Sequence, residues 1–481
     1  MEEPKKEIKN RTLTDKLIDF VFSNDERKWL IPIMILAIVL RILLANNVAP
    51  LADEVVHGTH AIDIIKAGVI NEQNECPVWF YITDIAYRFF GVHALSARFA
   101  ALLFGTLSIL IIFMISKMLF NRKIAVISSF LLAISAYYIR FTLVEMDEAM
   151  MFFVLCSFYF FIKDLKEKQV ISYLAVTIIA ISLLIKPISV TFIFSMILYF
   201  MYFVYKSGKR AEIIKKNKKR ITIAVLIILF FITPVLAYNY ILYEQKGITD
   251  VLFARFFHLN REFFSGLQGY DESYSFSSSA NFLPGFLKAW LFSYDPPIFF
   301  LAILGFILIF LKNEYKTGRF FVLFHILPFL FLSGSAMNWL HFVSFVPLAC
   351  VGAAVFIEYI SIKASDKINK NKLIFFILII ILISNIWIIK PHLTSQSAIF
   401  KMREYSITNF NEKDIVIADA RIYRSRIAWI FNDKSYLESS FFGNMIAVNQ
   451  NLSANSMVQT PVYFVECISD DCGWGTIGSQ P

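Results

Sequence analysis

Charged residues are scarce in this sequence: they make up 17% of its 481 positions, whereas 57% are hydrophobic. Soluble domains contain about 25% charged residues, so the deficit excludes an ordinary soluble protein. The sequence also lacks low-complexity tracts and a convincing internal repeat. The first apolar run has no small-residue cleavage pattern and is too long for a secretory signal peptide. The composition therefore predicts a polytopic membrane protein.

Apolar stretches recur along the chain and predict about 11 transmembrane helices, of which the longer ones reach the roughly 20 residues that cross a bilayer. They are residues 29–49, 94–116, 124–139, 149–162, 170–185, 187–205, 221–243, 296–311, 320–333, 339–360 and 373–389. Lysine and arginine cluster before the first stretch and after each even-numbered one. The positive-inside rule then places the N-terminus and these loops in the cytoplasm. The net charge of +9 is explained by topology, so no nucleic-acid partner is expected.

This topology predicts three parts of the chain. Residues 1–28 form a cytoplasmic segment, and residues 29–390 form a transmembrane domain with exterior loops at 50–92 and 244–295. Residues 391–481 have a soluble composition and predict a small extracytoplasmic α/β domain. Within it KDIVIADA and PVYFVEC are typical of buried strands, and RIYRSRIAWIF of a helix.

Two adjacent carboxylates, Asp53 and Glu54, stand where the first apolar stretch ends. Acids beside a membrane are costly and are functional when they face a cavity, although a solvated loop start is the plainer interpretation. If a helix begins near Asp53, then Asp53, His57 and His60 share one face. That spacing could hold a divalent metal; the alternative is a pair of hydrogen-bonded surface histidines.

Other charged residues stand near the same predicted membrane face. Asp147 could close against the first exterior loop and give a second acidic centre, while Glu148 is interpreted as a helix cap. Lys186, between two apolar stretches, is either a snorkelling lysine or an anion contact. The remaining cations are Arg98, which could instead anchor its helix, Arg140, and Arg261 in a loop that is either a lid or a surface excursion.

The ordered set of these motifs resembles the GT-C glycosyltransferases, in the branch of the protein O-mannosyltransferases and lipid A aminoarabinose transferases (families 39 and 83). The resemblance covers roughly residues 29–360. It consists of ADE followed by HG, then CPVWFY, FGVHALSARFAALLFGTLSILIIF, RFTLVEMDEAMMFF and LLIKP. The WWDYG motif typical of oligosaccharyltransferases is absent, which argues against that branch.

The resemblance implies a polytopic α-helical GT-C fold in the cell membrane and an inverting transferase with its site on the exterior face. Such an enzyme moves a hexose or pentose from a polyprenyl (dolichyl) phosphate to a protein hydroxyl, glycan or lipid. Asp53 would be the base, with Glu54 raising its proton affinity and Asp147 as a further catalytic acid. The donor phosphate would be bound by Arg98, Arg140, Lys186 and Arg261. No cofactor is certain; a divalent metal at His57 and His60, from their spacing, stays the one candidate.

Two other functions are compatible with the composition. A transporter or flippase for a lipid-linked substrate is the first, but transporters place charges at the bilayer midplane on Gly/Pro-broken helices with repeated halves. Here the charges lie near one surface, and only 17 glycines occur. A non-catalytic scaffold is the second, and it leaves Asp53 and Asp147 without a role.

Overall fold

The computed structural model describes residues 25–48, 50, 52–67, 78–142, 146–250, 253–254, 257, 259, 295–334, 339–394, 396–419, 422, 424–438 and 461–466. These residues are mostly helical. The helices are α1 (Asp25–Asn47), α2 (Ala52–Ala67), α3 (Val78–Phe90), α4 (Ala94–Ala97), α5 (Phe99–Leu119), α6 (Arg122–Ile134), α7 (Ala136–Thr142), α8 (Asp147–Lys168), α9 (Tyr173–Ile185), α10 (Val190–Lys206), α11 (Arg210–Lys246), α12 (Pro296–Leu311), α13 (Arg319–Gly334), α14 (Val346–Lys363), α15 (Lys370–Thr394), α16 (Ala398–Asn409) and α17 (Arg424–Ile430).

Every apolar stretch predicted to span the membrane overlaps one or two of these helices. Six described helices are long and apolar enough to cross a bilayer, or up to seven if the pair Pro296–Leu311 and Asn313–Leu330, bent by 105°, is one span. The predicted number of about 11 stays a prediction. Helices α6 and α9 have 13 residues each, and a helix of that length rises about 20 Å against a hydrocarbon core of about 30 Å.

The third apolar stretch is interrupted, where an unbroken helix was predicted. Helix α6 ends at Ile134 and α7 begins at Ala136, with Ser135 between them. The buried Asp295 carboxylate, just before α12, accepts hydrogen bonds from the Ser135 hydroxyl and from the backbone amides of Ala136 and Tyr137. It thereby satisfies amides that the first turn of a helix leaves without intrahelical partners.

The membrane helices share one large apolar core, and α12 and α14 make its closest backbone approach. A Cβ atom built on Gly305 of α12 would lie 1.8 Å from the carbonyl oxygen of Gly352 on α14. Only residues without a side chain allow this contact, because small residues let helix backbones touch and gain dispersion energy. The two glycines therefore fix the spacing of these helices.

The C-terminal residues form a three-stranded parallel sheet. Its strands β1 (Ile415–Ala418), β2 (Ser435–Glu438) and β3 (Val462–Val465) lie in the order β2-β1-β3, with Ile415 opposite Ser435 and Val462. Strands β1 and β3 and helix α17 coincide with the predicted elements, whereas β2 was not predicted. Helix α17 connects β1 to β2, as parallel strands require a crossover.

The sheet and its helices pack on α2 and α3. Val55 and Ile62 of α2, and Tyr87 of α3, are buried in the same hydrophobic cluster as Phe400 of α16 and Trp429 of α17. One core therefore crosses the boundary predicted at residue 391. The helix that carries the acidic pair and the C-terminal α/β unit pack against each other.

Candidate active site

Glu54 and Arg98 form a buried ion pair beside the end of the first membrane helix. The Arg98 guanidinium binds both Glu54 oxygens, with Nε to Oε1 at 2.5 Å and Nη2 to Oε2 at 2.9 Å. Its Nη1 donates to the carbonyls of Ala45, at 2.7 Å, and Val48, at 3.0 Å. Such planar bidentate geometry is the strong form of an arginine–carboxylate pair. The pair joins α1, α2 and the start of α5.

This pairing changes the roles expected of both residues. Arg98 is fully buried, and its donors are directed at Glu54 and the end of α1, which favours an anchoring role over a direct phosphate contact. The Glu54 charge is compensated by Arg98. The arrangement instead fixes the first turn of α2, where Asp53 lies.

Asp147 and Lys186 form a second buried pair. The Lys186 Nζ atom lies 2.6 Å from Asp147 Oδ2. Asp147 begins α8, and Lys186 follows the last residue of α9, where Pro187 starts a short 3₁₀ turn. The sequence had suggested both residues without suggesting that they contact each other.

A third polar cluster, which sequence reasoning missed, lies next to Asp147. Glu148 is fully buried and accepts hydrogen bonds from Tyr138 and from Ser108 on α5. The buried Arg41 guanidinium of α1 lies over the Tyr138 ring, 5.2 Å from its centroid. Glu148 therefore forms hydrogen bonds inside the helix bundle and does not cap the helix, which was the expected role. Arg41, which interrupts an apolar run, was the sequence signal for this cluster, because charged residues within membrane helices face the bundle interior.

These contacts bring the two ion pairs to the same end of the helix bundle. Arg98 binds the last turn of α1, and Arg41, one turn earlier on α1, contacts α7 through Tyr138. Tyr138 binds Glu148, the neighbour of Asp147. Contacts within the described residues therefore connect the helices that carry the two ion pairs, and the predicted site at one membrane face stays a prediction.

Comparisons with known proteins agree with this arrangement. Residues 74–238 match the family model described as dolichyl-phosphate-mannose-protein mannosyltransferase. The structure is similar to ArnT from Cupriavidus metallidurans in the apo state, with a TM-score of 0.59, 12% identity and 89% coverage of both chains. The same protein bound to undecaprenyl phosphate gives a TM-score of 0.59, 11% identity and 90% coverage of both chains. The chain has the GT-C fold.

A longer GT-C protein is also similar. The oligosaccharyltransferase from Archaeoglobus fulgidus, in complex with Zn and sulfate, gives a TM-score of 0.54 at 16% identity. The match covers 85% of this chain and 62% of that chain. No curated protein matches this chain. The predicted fold class, a mostly helical GT-C fold with several helices apolar enough to cross a membrane, is confirmed.

The matched range contains some of the predicted site residues of this GT-C protein. Arg98, Arg140, Asp147 and Lys186 lie inside residues 74–238, whereas the acidic pair precedes them. Arg140 is half-buried near the end of α7. The backbone of Asp53 lies in the first turn of α2 as predicted. Its side chain, and all of Arg261, lie outside the described residues.

The two histidines of α2 lie against one aromatic ring. The His57 and His60 ring centroids are 5.4 Å and 5.3 Å from that of Phe80 on α3, so both project from the same face of α2, as the spacing predicts. Among the residues described, no group of three or more His, Cys, Asp or Glu side chains could hold a metal ion. The third ligand expected, Asp53, is not among the described side chains.

Tyr87 of α3 and Asp433, which follows α17, have pKa values that differ from their usual ones. Burial raises the pKa of Tyr87 above its usual value, although its hydrogen bond with Trp429 acts in the opposite direction. Partial burial alone would raise the pKa of Asp433, but the hydrogen bond and charge of Arg403 bring that pKa below its usual value. Tyr87 thus stays neutral and Asp433 charged around neutral pH.

Proposed function

We propose that this GT-C protein is an inverting glycosyltransferase that moves a sugar from a polyprenyl-phosphate carrier to an acceptor outside the cytoplasm. The observation that carries the proposal is the presence of two buried acid–base pairs, Glu54–Arg98 and Asp147–Lys186, whose helices are connected through Arg41, Tyr138 and Glu148 in a GT-C bundle. A phosphate leaving group needs positive charge near it, and an acceptor hydroxyl needs a base. Both kinds of group occur in these pairs.

Asp53 is the proposed base. It lies in the first turn of α2, beside Glu54, whose carboxylate is held by Arg98. A base must be held in reach of the proton that it removes, and a positioned one contributes about 10²–10⁴-fold to the rate. The ion pair would supply this positioning by fixing the turn to the end of α1.

Lys186 is the proposed contact for the donor phosphate, with Arg140 and Arg261 as further candidates. The buried Asp147 carboxylate lies 2.6 Å from the Lys186 ammonium group and would orient it. Charge-assisted hydrogen bonds to phosphate oxygens are about twice as strong as neutral ones. In this assignment Arg98 acts through Glu54 and does not touch the donor.

The carrier is proposed to lie between the membrane helices, with its phosphate beside Lys186. ArnT, a similar structure, binds undecaprenyl phosphate. The positive-inside pattern of the loops supports an exterior location for the site. Protein hydroxyls, glycans and lipids are the acceptor classes to be compared.

The experiment uses purified protein in liposomes with radiolabelled polyprenyl-phosphate mannose and polyprenyl-phosphate pentose. Transfer is measured as label leaving the carrier for added peptide, glycan or lipid acceptors. We expect Asp53→Asn to lower the rate of sugar transfer at least about 100-fold. Its thermal stability should equal that of the wild type. The matched control is Asp366→Asn, which changes an exposed carboxylate between α14 and α15. Carrier moved across the bilayer without transfer of label would instead identify a flippase.

A further inference from the structure

Phe400, on the C-terminal helix α16, covers the arginine of the first ion pair. The guanidinium carbon of Arg98 lies 4.9 Å from the centroid of the Phe400 ring. Arg98 is fully buried, and Phe400 is 3% exposed. The edge of the guanidinium binds Glu54 and the end of α1, and the ring occupies its face. A residue 302 positions further along the chain than Arg98 therefore completes the surroundings of this ion pair.

Hydrogen bonds hold α16, the helix that carries Phe400, against the end of α1 and the turn before α4. Arg403, one turn further along α16, donates to the carbonyl of Val92 at 3.1 Å. It also donates to the Ile430 carbonyl at 2.8 Å and to Asp433 at 2.6 Å. At the start of α16, the amide of Ser397 donates to the Asn47 carbonyl at 3.1 Å. These bonds fix α16 to the end of α1 and to the turn before α4.

We propose that Phe400 is a positioning residue of the transfer site, through which the C-terminal α/β unit holds the Arg98–Glu54 pair and the acidic turn of α2 in place. The catalytic part of this inference rests on the proposed function. The structural part concerns only the order of α2 and is testable without any activity.

The physical reason is the effect of the aromatic ring on a desolvated cation. A ring face attracts a guanidinium group, most strongly where water is excluded. A leucine at position 400 would keep an apolar contact but lose the ring face and leave space beside the guanidinium. The Arg98 side chain and the Glu54 turn would then sample more positions. Because a small misplacement of a catalytic group costs rate more than binding, kcat should fall while KM changes little.

The test compares Phe400→Leu and Phe400→Tyr with the control Phe410→Leu. Phe410 belongs to the same hydrophobic cluster but stacks on Phe431 and Tyr463, at centroid distances of 6.2 Å and 4.2 Å. Transfer is measured in liposomes with radiolabelled polyprenyl-phosphate mannose as the probe. We expect Phe400→Leu to lower kcat by about tenfold with KM within about twofold. Phe400→Tyr, which keeps the ring, should stay near the wild-type kcat, and so should Phe410→Leu.

A second measurement, amide hydrogen exchange of peptides from residues 52–67, does not depend on turnover. Phe400→Leu should raise exchange there by several-fold, and Phe410→Leu should not. If the wild type transfers no sugar, the proposed function fails, but a selective rise in exchange still supports positioning. Equal exchange in the two leucine variants would overturn the inference whether or not the protein is a transferase. If the wild type transfers sugar, an unchanged kcat in Phe400→Leu would overturn it as well.

Discussion

The Lys186 ammonium group lies 2.6 Å from a carboxylate oxygen of Asp147, and both side chains are buried at one end of the helix bundle. Removing one member of a buried ion pair leaves a charge in a medium that solvates it poorly, which costs about 3–5 kcal/mol. We therefore expect Lys186→Met to lower the free energy of unfolding by that amount and to abolish transfer. Denaturation in detergent and the transfer assay measure the two effects.

An exposed lysine–aspartate ion pair at the other end of α8 provides the control. Lys168 binds Asp164 at 2.8 Å, and its side chain is 64% exposed. Exposed pairs contribute about 0–1 kcal/mol, so Lys168→Met should leave stability and transfer nearly unchanged. Equal losses in the two variants would contradict a special role for the buried pair.

The Arg98–Glu54 pair predicts that charge alone is insufficient at position 98. A lysine there keeps the positive charge but cannot bind both Glu54 oxygens and two carbonyl groups in one plane. We expect Arg98→Lys to destabilise the protein by about 2–5 kcal/mol and to slow transfer. The matched control is Arg88→Lys, because Arg88 is half-exposed and pairs with Asp84 within α3. Thermal unfolding measures the loss. If Arg98→Lys is as stable as the wild type, the bidentate geometry is contradicted.

The membrane helices were the predictable part of the fold. In a bilayer, backbone groups must be satisfied within the segment, so a long apolar run has few alternatives to a helix. The stretch 29–49 thus predicted α1. The break at Ser135 could not be predicted, because the group that stabilises it, Asp295, lies about 160 residues further along the chain.

The candidate site was predictable as a set of residues but not as a set of contacts. Asp147 and Lys186 each stood out because a charge beside an apolar run is costly. Their pairing depends on how α8 and α9 pack, which no local pattern encodes. The same holds for Arg98, whose sequence neighbourhood indicated a cation at the membrane surface but did not indicate that Glu54 and Phe400 would enclose it.

The contact between Gly305 and Gly352 predicts a steric limit in the membrane domain. A Cβ at Gly305 would overlap the Gly352 carbonyl, at 1.8 Å, so α12 and α14 would have to separate. We expect Gly305→Ala to destabilise the protein by at least about 1–3 kcal/mol, the range found for overpacked cores. Ile303→Leu, at a half-exposed position on the same helix, is the control. Thermal unfolding in detergent should show a lower Tm only for the glycine variant.

Asp433 predicts a pH dependence of the C-terminal unit. Its pKa is lower in the folded protein than in the unfolded chain, because Arg403 outweighs the effect of burial. The stability that it contributes is therefore fully present above the unfolded pKa of about 3.9 and is lost as the pH falls through the folded value. We expect the Tm difference between wild type and Asp433→Asn to be constant from pH 7 to 5 and to shrink below about pH 4. A difference that grows on acidification would contradict this sign.

Gly58 on α2 lies against the hydrogen-bonded pair of Tyr87 and Trp429, whose hydroxyl and indole nitrogen are 2.9 Å apart. A Cβ at Gly58 would meet the Tyr87 hydroxyl at 2.9 Å and the Trp429 ring at 3.0 Å. Both rings are buried, so neither can move away cheaply. We expect Gly58→Ala to cost about 1–3 kcal/mol and to slow transfer by shifting the helix that carries Asp53.

The double variant Gly58→Ala with Tyr87→Phe tests whether that collision is the cause. Tyr87→Phe alone should cost about 1–2 kcal/mol, because it leaves the buried Trp429 donor without its acceptor. In the double variant the same substitution removes the atom nearest the new methyl group, so the two losses should be less than additive. Unfolding energies of the four proteins measure this coupling. Strictly additive losses would show that the new methyl group on α2 does not collide with the Tyr87 hydroxyl of α3.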